Sequence, residues 1–112
     1  MRKWVSVKGY KQITEIKKNA LTFSSDFMFF AALKNIYPMP RCLIITTKKR
    51  ISKKSTVRNR VKRRIRAALD CINLQNLDII VIPNILCLNV NFNNLVQEIE
   101  NLQLAAIKKL KI

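Results

Sequence analysis

The chain has no histidine, one glycine and six acidic residues among 112. Each shortage removes a class of chemistry. Without histidine there is no imidazole to serve as base or metal ligand near neutral pH. A lone Gly9 rules out a glycine-rich phosphate loop, whose tight turns and close backbone approach need several glycines. The acids Glu15, Asp26, Asp70, Asp78, Glu98 and Glu100 are scattered, so the clustered carboxylates that hold catalytic metal ions are not expected. Asp70 and Asp78 flank a turn, and they read as a helix end and a strand start rather than a metal site.

The cysteines are equally uninformative for chemistry. Cys42, Cys71 and Cys87 are isolated among apolar neighbours, odd in number and without a Cys-x-x-Cys spacing. They predict neither zinc nor a disulfide framework, but small, buried, reduced thiols in a cytoplasmic protein. No segment approaches the roughly 18 apolar residues of a spanning helix. Nor is the opening Met1-Arg2-Lys3-Trp4 followed by the apolar run of a signal peptide. The length argues a single domain over residues 1–112; the missing apolar segments argue against a membrane partner, and the missing histidine, glycine loop and clustered acids argue that the chain has no catalytic residues of its own.

What is present is positive charge. Lys and Arg number 22 against six acids, a net +16, with a pI near 10.5. Such an excess predicts a polyanionic partner and salt-sensitive binding. Residues 48–66, KKRISKKSTVRNRVKRRIR, hold 11 of the 22 cations and no acid. Wound at about 100° per residue from Val57, they put Val57, Val61, Ile65, Ala68, Leu69 and Ile72 on one stripe. Arg58, Lys62 and Arg66 form a second row with Asn59 and Arg63 beside it, and Arg60 and Arg64 flank the stripe on its other side. The helix therefore has one face to bury and is basic almost everywhere else. Ser55 or Thr56 is the expected N-cap.

That arrangement runs against helix physics. Arg58 and Arg60 lie in the first turn, where each cation costs roughly 0.3–1 kcal/mol unless neutralised. The i, i+4 pair Arg58/Lys62 and its successor Lys62/Arg66 repel as well. A helix that needed only solubility would mix Glu with Lys and gain from the pairs. Phosphate fits such a helix start, because free backbone N–H groups and guanidinium forks both donate to it. The basic stretch is thus read as an RNA-binding helix.

Around it, residues 8–18 carry a short helical pattern and residues 19–26 read as a turn. Residues 27–33, FMFFAAL, form an apolar strand, and residues 35–40, with two prolines, a loop. Residues 41–47 read as a strand, 48–54 as a basic connection and 57–72 as the helix. The stretch 78–82, DIIVI, is the cleanest buried strand, and 84–91 has no clear period. Asn91 or Asn93 caps a last helix to about Lys111. The element order is α-β-β-α-β-α, an α+β two-layer sandwich with a βαβ crossover. General experience makes such crossovers right-handed.

The run Arg58-Asn59-Arg60-Val61-Lys62-Arg63-Arg64-Ile65-Arg66 resembles the basic helix of the bacterial ribonuclease P protein subunit. In that family the helix follows a strand that ends in a small hydroxyl residue and two lysines, here Thr47 and Lys48-Lys49. It precedes an Asp-led apolar strand, here Asp78 to Ile82, and a final amphipathic helix. The resemblance implies a left-handed crossover. It implies a protein cofactor of a ribozyme that binds the catalytic RNA subunit and the 5′ leader of precursor tRNA. Mg²⁺ would be held mainly by the RNA, and the protein would be monomeric in the holoenzyme. Carried over, Lys48, Lys49, Lys53, Lys54, Arg58, Asn59, Arg60, Lys62, Arg63 and Arg66 face RNA. Tyr10, Phe27, Phe29 and Thr47 line the leader cleft. Thr14 stands where an aromatic is common, and the loop before Arg58 is about two residues longer than usual. For Phe27 and Phe29 the competing expectation is core packing.

Two other functions share the charge. A small structural RNA-binding protein of ribosomal type has the same size and basicity without a cleft for leader RNA. A peripheral membrane protein would need aromatics on the apolar face of the basic helix, and that stripe has none.

Overall fold

The computed structural model describes residues 3–111. Its centre is β5, Leu77–Pro83 (LDIIVIP), buried almost throughout. A strand apolar on both sides must be covered on both sides, and it takes the middle of the sheet. β1 (Val5–Ser6), β2 (Leu21–Ser24), β3 (Met28–Lys34) and β4 (Arg41–Ile44) complete the sheet, in the order β1-β4-β5-β3-β2. β4 runs parallel to both β1 and β5, while β3 is antiparallel to β5 and to β2.

Three helices cover it: α1 (Tyr10–Asn19), α2 (Ser55–Asp70) and α3 (Phe92–Leu110). α2 is the crossover between the parallel neighbours β4 and β5. It buries Val61, Ile65, Ala68 and Leu69, at roughly 1.5–3 kcal/mol for each large side chain. With Leu95, Ile99, Leu102 and Ala106 of α3 they meet Met28, Phe30, Ala32, Cys42, Ile44, Leu77, Ile79 and Val81 of the sheet. On the opposite face α1 makes a smaller cluster, where Ile16 packs with Val7 and Ile80. The α2–α3 layer is complete, and α1 covers only part of its face.

Several boundaries differ from the sequence reading. Residues 19–26 are not simply a turn, because Leu21–Ser24 pairs with β3 as an edge strand. β1 is a second addition, two residues held parallel to β4. The strand expected over 41–47 ends at Ile44; Thr47 instead begins a turn, its carbonyl accepting from Ile51 N at 3.1 Å. Ser55 and Thr56 do not cap α2. The helix already includes them, its N-cap is Lys54, and no side chain caps it. Asn91 does cap α3, accepting from Asn93 and Asn94. Ile85–Leu88, inside the aperiodic 84–91, is one 3-10 turn. Of the thiols, Cys42 and Cys87 are buried but Cys71 is exposed. Burial pushes Cys42 up to about 12 and Cys87 to about 11. Among the described residues no helix is long and apolar enough to cross a membrane.

Candidate nucleic-acid interface

The cations of α2 fall into two groups. One group is spent inside the molecule. Arg58 Nη1 donates to the carbonyls of Ser52 and Lys53, each at 2.9 Å, and so ties the basic loop to the helix it precedes. Arg64 donates to the carbonyls of Cys87 (2.6 Å), Leu88 (2.8 Å) and Val90. It holds the 3-10 turn and the start of α3 against α2.

The second group looks outward. Asn59, Arg60 and Arg63 are exposed, and Lys62 and Arg66 are half-buried. Lys62 and Arg66 flank a small cavity with Trp4, Ser6 and Cys42, at the β1–β4 edge. Lys48, Lys49, Lys53 and Lys54 are exposed on the loop that leads into α2. Among the described residues no cation of this loop or of α2 lies within ion-pair distance of a carboxylate. The ion pair found among the described residues is Arg41–Asp78, at 2.7 Å, between β4 and β5. Asp70, at the far end of α2, accepts instead from Trp4 Nε1 at 2.8 Å. The positive face is therefore uncompensated from within.

The other feature is a groove on the α1 face of the sheet. Successive helix residues turn by about 100°, so with Ile13, Ile16 and Ala20 facing the sheet, α1 has two flanks. Tyr10, Thr14 and Lys17 share one, and Gln12 and Glu15 the other. On the first flank lies a trough of about 310 Å³ lined by Lys17, Thr22, Phe29, Ala31, Ile80 and Ile82. Its floor is apolar and follows from the strand register, with Phe29 opposite Ile82 and Ala31 opposite Ile80. Phe29 is 39% exposed and Tyr10, at the start of α1, is 85% exposed.

Phe27 is elsewhere. It precedes β3, packs against the α2–α3 core, and its carbonyl accepts from Cys87 Sγ at 3.3 Å. Phe27 and Phe29 are therefore not two rungs of one aromatic surface. Thr47 is not among the residues lining the trough either, and its Oγ1 accepts from Arg50 N at 3.2 Å.

On the second flank Arg41 grips Asp78 through two hydrogen bonds, Nε to Oδ1 at 2.8 Å and Nη2 to Oδ2 at 2.7 Å. Its Nη1 donates to Gln12 Oε1 at 3.0 Å, and its guanidinium stacks on Tyr37 at 4.2 Å. The hydrogen bond to Asp78 raises the Arg41 pKa further, against the desolvation that opposes it. Through Gln12 this cluster ties α1 to the sheet on the flank away from the trough. The sequence reading missed Arg41 here. Its signal was an arginine opening one strand and an aspartate opening its parallel neighbour, which the register Arg41↔Asp78 brings side by side.

Comparison with known proteins gives one family. The profile described as Ribonuclease P matches residues 1–107. Among solved structures the fold is similar to the RNase P protein from Thermotoga maritima, with a TM-score of 0.75 at 22% identity, over 88% of this chain and 94% of that one. It is also similar to the RNase P protein from Staphylococcus aureus, with a TM-score of 0.72 at 20% identity, over 96% and 95% of the two chains. No curated protein sequence matches.

Proposed function

The chain belongs to the ribonuclease P family, and from that premise we propose that it is the protein cofactor of a ribozyme that matures the 5′ end of tRNA. Membership gives it a role in ribonuclease P and hence in tRNA processing. The finer reading assigns α2 to the catalytic RNA and the trough to the single-stranded leader of precursor tRNA. One observation carries it. The outward cations Arg60, Lys62, Arg63 and Arg66 meet no carboxylate among the described residues, and the same chain holds an open apolar trough lined by Phe29, Ala31, Ile80 and Ile82.

Mechanistically the protein supplies charge and shape. Guanidinium groups on α2 bind backbone phosphates and release counterions. The uncapped start of α2 offers backbone N–H groups to the same anion. The trough takes unstacked bases, with Phe29 as an aromatic wall and the aliphatic floor excluding water. Neutralising phosphate between catalytic RNA and substrate lowers the Mg²⁺ the RNA needs. That metal belongs to the RNA in this reading. Among the described residues no three acids, thiols or imidazoles converge, and Asp70 and Asp78 are already taken by Trp4 and Arg41.

Adding the chain to catalytic RNA and precursor tRNA at low Mg²⁺ tests the reading. Restored cleavage at the mature 5′ end supports it. RNA binding without restored cleavage favours a purely structural RNA-binding protein.

A further inference from the structure

The trough ends at a residue outside the expected site. Phe29 and Ile82 form its last row, and just beyond β5 the Ile85 N–H donates to the carbonyl of Arg50 at 3.0 Å. The basic loop therefore crosses the mouth of the trough on its way to α2. Arg50 is anchored there from both sides. Its N–H donates to Thr47 Oγ1, and its neighbour Ile51 is buried in the α2–α3 core.

With its backbone fixed, Arg50 lays its guanidinium over the Phe29 ring at 4.4 Å from the centroid. Its Nε is buried and finds no acceptor. Because that Nε is closed to solvent, the outer N–H groups are the ones open to a ligand, and a charged group with no carboxylate partner among the described residues, beside an apolar trough, calls for an anion. A flat cation on a flat ring, next to a slot floored by aliphatic side chains, matches one ligand chemistry: a base with a phosphate attached.

We propose that Arg50 is a leader-binding residue. With Phe29 it forms a guanidinium–phenyl wall at the mouth of the trough. A leader base rests in the trough against Phe29, and the outer N–H groups of Arg50 bind the phosphate on the strand's path from the trough towards Lys48, Lys49 and the start of α2. The proposal rests on the leader assignment made above. It adds a specific residue and joins the two halves of the RNA surface into one path.

The test uses holoenzyme assembled from catalytic RNA and the full chain. Affinities for precursor tRNA and for tRNA without a leader are measured, and their ratio is the readout. Arg50→Ala is expected to lower that ratio about tenfold, the worth of one charge-assisted hydrogen bond. The salt slope for the leader-bearing substrate alone should drop by about 0.7. Arg50→Gln keeps a planar group without charge. It must lose the same preference, and it decides the matter should Arg50→Ala disturb the loop. Arg50→Lys keeps the charge without the stack and should fall between. A wild-type leader preference retained in both Arg50→Gln and Arg50→Ala overturns this inference while leaving the leader assignment standing. A wild-type holoenzyme with no leader preference overturns the assignment, and this inference with it.

Discussion

Arg63 and Arg64 are neighbours in sequence, and their replacement should have opposite consequences. Arg64 Nη1 is shared between the carbonyls of Cys87 and Leu88, and Nη2 serves Val90. Hydrogen bonds to a charged partner contribute about 1.5–3 kcal/mol each. Two donors shared over three carbonyls at a half-buried site, with water partly replacing the lost partner, come to about 3 kcal/mol in Arg64→Ala. That is a large share of the roughly 5–15 kcal/mol that stabilises a domain of this kind, and corresponds to roughly 10–15 °C in the unfolding midpoint. Arg63 is exposed and makes no hydrogen bond or ion pair among the described residues, so Arg63→Ala should change stability by less than about 0.5 kcal/mol. Its cost should fall on RNA, with the log–log salt slope of assembly reduced by about 0.7–0.9 for the lost phosphate contact. Urea unfolding of both variants, beside salt titrations of their binding to catalytic RNA, separates the two roles. An Arg64→Ala protein as stable as wild type would refute the geometry on which the division of α2 depends.

The buried pair Arg41–Asp78 makes a second stability prediction. Asp78→Ala leaves a largely buried guanidinium without its partner and should cost about 3–5 kcal/mol by urea denaturation, whereas Arg41→Met/Asp78→Leu should recover most of it. The thiols give a third. Alkylation of the native protein should label Cys71 and leave Cys42 and Cys87 unmodified until the chain unfolds, as read by mass spectrometry. A pH effect accompanies it. Burial raises the Cys42 pKa from its ordinary 9.0 to about 12, so the folded state disfavours the thiolate. Its contribution is fully present below pH 9.0 and is lost as pH climbs from there towards about 12. The Cys42→Ala variant should lose less stability than wild type over that rise.

Much of this was legible because periodic burial writes itself into sequence. The stripe Val61, Ile65, Ala68, Leu69 fixed the inner face of α2, and the unbroken DIIVI run marked a central strand. β1 was too short to carry a pattern. β2 did carry one, since Leu21-Thr22-Phe23-Ser24 alternates apolar and polar, but four residues beside a turn are weak against the polar Asn19 and Asp26 around them. Phe27 misled because a ring just before a strand need not keep the strand's alternation. The sinks of Arg58 and Arg64 were invisible for another reason. Both donate to backbone carbonyls, and a carbonyl leaves no mark on the sequence at the position that supplies it. Arg50 was likewise hidden, because the loop that carries it meets Phe29 only through the packing of Ile51 and the contact with Ile85.

The central claim is that the outward cations of α2 are placed there for ribose-phosphate. It is tested most directly by the salt dependence of holoenzyme assembly with wild type and with Arg60→Ala/Arg63→Ala, both residues being exposed and free of carboxylate partners among the described residues. The account predicts a steep wild-type slope that falls by about 1.4–1.8 in the double variant, with unfolding unchanged. Equal slopes for the two proteins would contradict it.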